Sequence, residues 1–280
     1  MRLLLLIMSC YAIADSDGYL YRRETYPDWN NLRVTWYPFP IGTYVYTSMP
    51  RTVNKAIAGG FTMVSDCGDI PGINGKRFVK EGDFALVLLY GVNGFIAGIQ
   101  IGVPYNESDA FPPHNQINQT FIRIGDMYFL TAYFTNPAIT CKYGRTRHQF
   151  DFEGTGSALY IQNGTDADTN FLEIPMREPE LASTKWTRGH CFFSMGVHYW
   201  YNINANMSCD DFFPVFLLYN RGWLNGFGWA IGTDISSPRM EHYAYDDIVS
   251  TMDPIPNCLH EIQRLSTMHI YFTNPLLNFC

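Results

Sequence analysis

The longest apolar pattern in the chain runs from residue 83 to 103. Asp83-Phe-Ala-Leu-Val-Leu-Leu-Tyr90 and a second apolar run flank Asn93-Gly94. Asn-Gly takes positive φ at both centres of a tight turn, so the pattern predicts a buried β-hairpin. Residues 84–103 are also 20 positions without a charge, long enough to cross a membrane as a helix. Gly91, Asn93, Gly94, Gly98 and Gln100 interrupt that run. A matching segment, Asp211-Phe-Phe-Pro-Val-Phe-Leu-Leu-Tyr219, leads past Arg221 to Asn225-Gly226. A hairpin accounts for both segments, so Asn225-Gly226 is expected at a second hairpin tip and no membrane span is expected. Shorter β-branched or aromatic stretches at 34–39, 44–48, 61–65, 121–124, 128–134, 158–162, 191–201 and 268–272 also read as strands. Helical signals are few: 50–58, ended by Gly59-Gly60, and short stretches at 242–252 and 258–265.

The pentapeptide Tyr-Phe-Thr-Asn-Pro occurs at 133–137 and again at 271–275, each followed by a cysteine, Cys141 and Cys280. The copies are 138 residues apart and the hairpin segments 128 apart, far beyond solenoid periods. The expected fold is therefore α+β, β-dominated, with two similar β-rich units from an internal duplication. The boundaries read as a signal peptide (1–14), an N-terminal extension (15–31), repeat one (32–141), a polar surface insert (142–185) and repeat two (186–280).

Arg2, the apolar run 3–13 and Ala12-Ile13-Ala14 have the form of a secretory leader. Its removal takes Cys10 and leaves six cysteines. An even number in a secreted chain predicts three disulfides. The pentapeptides place Cys141 and Cys280 alike, so each is paired with the cysteine opening its own repeat. This gives Cys67–Cys141 and Cys191–Cys280, with Cys209–Cys258 left as the third bridge. Sequons at Asn106, Asn118, Asn163 and Asn206 add an expectation of glycosylation. The mature chain carries 18 basic against 26 acidic residues, −8, without a basic cluster. Nucleic acid is therefore not an expected partner.

The patterns that carry chemistry mostly fail on spacing. The glycines of 226–232 do not match a dinucleotide fingerprint and no βαβ unit follows. Asp166-Ala-Asp168-Thr-Asn170 begins like a calcium loop, but Phe171 stands at the sixth position and Arg177 at the twelfth. No Gly-x-Ser-x-Gly occurs, and no Cys-x-x-Cys. Five of the seven histidines fall in repeat two: His190, His198, His242, His260 and His269. His198 with Glu241 or His242 is a candidate acid–base or metal-binding group, with Asp210 and Asp211 nearby in sequence. The dense aromatics, such as Tyr199-Trp200-Tyr201, suit a β core or a recognition surface. No catalytic residue, metal ligand or cofactor is assigned. The expectation is an extracellular binding or matrix-associated protein whose partner is a glycan, a protein or a matrix surface. The alternative is a secreted hydrolase or metal-dependent enzyme with its site in repeat two.

Overall fold

The computed structural model describes residues 29–34, 47–105, 120–261 and 264–280. The leader, Asn106, Asn118 and most of the strand-like stretches at 34–39 and 44–48 lie outside these residues. Sixteen strands are described: β1 (Arg33–Val34), β2 (Thr47–Ser48), β3 (Phe61–Ser65), β4 (Lys76–Lys80), β5 (Asp83–Tyr90), β6 (Ile96–Pro104), β7 (Ile122–Ile124), β8 (Met127–Tyr133), β9 (Leu159–Gln162), β10 (Phe171–Ile174), β11 (Trp186–Phe192), β12 (Gly196–Tyr201), β13 (Val215–Asn220), β14 (Trp223–Ile231), β15 (Glu241–Ala244) and β16 (Arg264–Tyr271). They form two antiparallel sheets of eight. The first has the order β10-β9-β8-β6-β5-β4-β3 with β7 on β8. The second has the order β11-β12-β13-β14-β16-β1-β2 with β15 on β16.

The sheets face one another across a common core. Leu88, Tyr90, Ile99 and Ile101 of the first pack with Leu217, Phe227, Trp229 and Ile270 of the second. Alternate residues of the same strands pack outward: Val87, Leu89 and Phe129 in one cluster, Trp200, Phe216 and Leu218 in another. Both faces of the central strands are thus covered. This is why 84–103 reads as unbroken apolar sequence where a one-sided strand would alternate. Phe134 and Phe272, the phenylalanines of the two pentapeptides, meet in the core edge-to-face at 5.2 Å. Phe227 lies 5.8 Å from Phe272, and Trp29 stacks on Phe272 at 3.9 Å. The Trp29 indole also donates to the Leu224 carbonyl at 3.0 Å.

Among the described residues the α-helices are few and short: α1 (Val53–Ala58), α2 (Pro137–Thr140), α3 (Arg147–Glu153) and α4 (Tyr245–Val249). Thr52 caps α1, and Gly59 ends it. The stretches 242–252 and 258–265, expected as helices, are helical at 245–249 and, as 3-10 helix, at 258–261, and are strand at 242–244 and 264–265. Residues 241–244 form β15 before the single turn of α4, and β16 begins at Arg264. Pairing along β16 supplies the backbone partners that a free helix would have provided for itself.

Asn93-Gly94 sits at the β5–β6 hairpin tip, with Gly94 at φ 76°. Asn225-Gly226 does not sit at a tip. It lies inside β14, where Gly226 pairs with both Leu218 and Tyr271. The β13–β14 turn is made instead by Arg221 and Gly222, at φ 53° and 77°. Gly226 answers a different need, because a Cβ there would stand 2.4 Å from the Ile270 carbonyl oxygen. Gly98 stands in the same relation to the Ala132 carbonyl, at 2.5 Å. Gly226→Ala is expected to force β14 away from β16 and destabilise by about 1–3 kcal/mol. Urea denaturation measures this, and a change under a few tenths would mean the strands yield freely.

The two sheets repeat a set of contacts. Val53 N–H donates to the Gly94 carbonyl at 2.9 Å, and Glu178 N–H to Gly222 at 3.0 Å. Ile96 N–H donates to Arg51, and Leu224 N–H to Met176, both at 3.0 Å. The Tyr90 hydroxyl donates to the Pro50 carbonyl, and the Tyr219 hydroxyl to Pro175. Ser157 N–H donates to Phe134, and Asn31 N–H to Phe272. The chain crosses between sheets reciprocally. β1 and β2 precede the first sheet in sequence but pair in the second, while β9 and β10 precede the second and pair in the first. Within 142–185, expected as a surface insert, β9 thus brings Leu159 and Ile161, both fully buried, into the first sheet.

Three disulfides join Cys67–Cys141, Cys191–Cys280 and Cys209–Cys258, the pairs expected from the position of the pentapeptides.

Candidate functional site

The outer face of the second sheet carries the chemistry. Strand alternation puts His198 and Trp200 of β12, Phe216 of β13, and Thr267, His269 and Tyr271 of β16 on that face, while Val197, Tyr199, Met268 and Ile270 point to the core. The segment containing α4 closes over it, burying Ile248, Val249 and Met252 against the sheet. Between them lies a cavity of about 330 Å³, whose walls include Phe192, His198, Trp200, Phe216, Tyr243 and His269.

Register assembles a buried pair at this site. Glu241 of β15 stands opposite Thr267 of β16, and His269 follows two residues on, pointing the same way. His269 Nδ1 lies 2.6 Å from Glu241 Oε2, and the Thr267 hydroxyl donates to the same oxygen at 3.1 Å. Glu241 and His269 are each 4% exposed. With Glu241 accepting at Nδ1, the imidazole is orientated as a positioned acid–base group requires. Gly228 lies directly across from both Phe216 and His269. A Cβ there would meet the Phe216 ring at 2.2 Å, so the glycine seats that ring between the two imidazoles. Phe216 stands 5.5 Å from His198 and 4.9 Å from His269, and the histidines stand 6.3 Å apart.

Burial, and next the neighbouring His269, push His198 down to about 3 from its ordinary value of 6.5. Its Nδ1 faces the His190 carbonyl at 3.3 Å. The ring is neutral at physiological pH. In the unfolded chain it titrates near 6.5, so below that pH the unfolded state takes up a proton that the folded state excludes. The stability arising from this difference is complete above about pH 6.5 and is lost as pH falls toward 3. His198→Gln should therefore flatten the fall of the denaturation midpoint between pH 6.5 and 3, whatever its effect at neutral pH. An unchanged slope would show that His198 does not contribute to acid sensitivity.

The expected grouping of His198 with Glu241 or His242 is rearranged. Glu241 contacts His269 rather than His198. His242 alternates away from the cavity and pairs with Asp234 at 3.0 Å. Asp210 and Asp211 sit in an exposed turn at 209–211, outside the cavity lining. His190 bonds the Ser250 carbonyl, and His260 packs on Tyr245. The Glu241–His269 pair escaped sequence reasoning because 28 residues separate its members. The alternation Thr267-x-His269-x-Tyr271 along one strand was the available signal. At the corresponding place on the first sheet, the outer face carries a buried polar chain. Arg77 Nε donates to Gln100 at 2.9 Å, and Gln100 donates to Thr131 at 2.8 Å.

Among the described residues no group of three or more His, Cys, Asp or Glu is arranged to hold a metal ion. The acidic stretch 166–170 is a turn closed on itself, with Asp168 accepting from Asn74 and Lys142. Residues 226–231 lie within β14, in the second sheet. Asn206 is exposed; Asn163 is partly buried and accepts from Thr120 at 3.3 Å. No described helix is long and apolar enough to cross a membrane. Comparison of the chain with protein-family models, curated proteins and solved structures returns no match.

Proposed function

We propose that this chain is a secreted, glycosylated binding protein, and that the outer-face cavity of the second sheet receives its ligand. The cavity itself carries this reading: about 330 Å³ of largely aromatic wall with two imidazoles suits a small molecule or a projecting group of a glycan, protein or matrix partner. Three disulfides accord with an oxidising, extracellular setting. The two sheets are the halves of an internal duplication, a reading supported by their common strand order and matched hydrogen bonds. In that duplication one half has a buried polar chain at Arg77–Gln100–Thr131, and the other has a cavity lined by His198 and His269.

A second reading, a secreted hydrolase, is favoured by one observation: Glu241 holds His269 at 2.6 Å on the wall of the cavity. Both readings are tested by His269→Gln in the secreted protein, with folding checked by circular dichroism. The binding reading expects native mass spectrometry to find a small molecule retained by the wild type. It also expects the folded variant to hold that molecule about tenfold or more weakly, as loss of a buried hydrogen-bonding group implies. A reproducible turnover activity that disappears in the folded variant would replace binding with hydrolysis.

A further inference from the structure

We infer that the cavity selects a small organic cation: an amine or quaternary ammonium carried on an apolar or aromatic body. The inference rests on the ligand-binding reading above and names its ligand class. Three features of the walls converge on it.

The first is charge. Among the described residues no lysine or arginine lines the cavity, whereas Asp247 of α4 is exposed on its lining. The field inside therefore attracts positive charge. The second is the rings. Trp200 and Phe216 stand 5.1 Å apart at an interplanar angle of 43°, with Phe192 and Tyr243 on the same walls. Several aromatic faces around one space attract a cation through their quadrupoles, most strongly where water is excluded.

The third is hydrogen bonding. An anion needs donors, and four of those on the wall are already engaged. The Trp200 indole donates to the Thr251 carbonyl at 3.3 Å and the Thr251 hydroxyl to Ile248 at 2.6 Å. The Ser250 hydroxyl donates to the Asp247 carbonyl at 2.5 Å, and the Thr267 hydroxyl to Glu241 at 3.1 Å. These engaged hydroxyls keep oxygen lone pairs that can accept from an ammonium N–H.

The test is isothermal titration calorimetry on the full secreted chain with probes of matched size. These are phenethylamine and benzyltrimethylammonium as cations, phenethyl alcohol as the neutral comparison and phenyl phosphate as the anion. The cations are expected to bind about tenfold or more tightly than the alcohol, as cation–π attraction in a desolvated site implies. Phenyl phosphate is expected not to compete. Asp247→Asn, on an exposed turn where folding is safe, should weaken the cations several-fold, to a degree that shrinks with salt, and leave the alcohol unchanged. Equal binding of cation and alcohol overturns the inference but preserves the cavity as an apolar ligand site. Preference for phenyl phosphate overturns it in favour of an anion site. Binding by none of the probes overturns the ligand-cavity reading together with the inference.

Discussion

Phe272→Ala is expected to destabilise the protein by about 3–5 kcal/mol, the cost of opening a cavity in a core that cannot collapse around it. The ring is fully buried where both sheets and the N-terminal segment meet. Trp29 stacks on it at 3.9 Å, and Phe134 and Phe227 pack at 5.2 and 5.8 Å. Emptying that position removes contacts from three separate parts of the chain. For a domain stable by roughly 5–15 kcal/mol, this loss takes about a fifth of the total or more. Guanidinium denaturation followed by tryptophan fluorescence should show a lower midpoint with an unchanged slope. Phe134→Ala should cost a similar amount. The double variant should cost less than the sum, because the rings touch and their cavities merge. A cost below about 1 kcal/mol for Phe272→Ala would mean that the sheets are joined elsewhere.

Removing a disulfide has an effect of comparable size through the unfolded chain. Cys67–Cys141 closes a loop of 74 residues, and replacing both cysteines with alanine should cost about 4 kcal/mol in the chain-entropy model. Cys191–Cys280 and Cys209–Cys258 close loops of 89 and 49 residues, so the three losses should agree within about half a kcal/mol. Thermal melts of the three double variants decide this. A loss well below the others at any one bridge would show that its loop is already restricted in the unfolded state.

Much of this architecture is visible in the order of residues. Strands such as β5 and β6 announce themselves because both faces are buried, which leaves no polar alternation to blur them. The pentapeptides carried the disulfide pairs because Phe134 and Phe272 hold both copies in the same core, with Cys141 and Cys280 close behind. What was hidden depends on distance in space. Asn225-Gly226 resembles the tip at Asn93-Gly94, yet the close approach of the Ile270 carbonyl, which no local pattern reveals, is what requires Gly226. β15 and the start of β16 read as helix because neither segment carries its partner beside it in sequence. The Glu241–His269 pair exists only once that register is set.

The reciprocal crossing of β1 and β2 into the second sheet sets an order on biosynthesis. Arg33 and Val34 find their partners at Tyr271 and Ile270, among the last residues of this sequence to leave the ribosome. β1 can pair with β2 at once, but its other edge must wait for β16 through translation of most of the sequence. By contrast, β9 meets β8 and β10 meets β9 almost as soon as they are made. The first sheet can assemble during synthesis, whereas the second closes only after β16 emerges. A nascent chain arrested before β16 would expose open strand edges to aggregation and chaperones. Termination before β16 would therefore deprive β1, more than two hundred residues away, of one of its two partners.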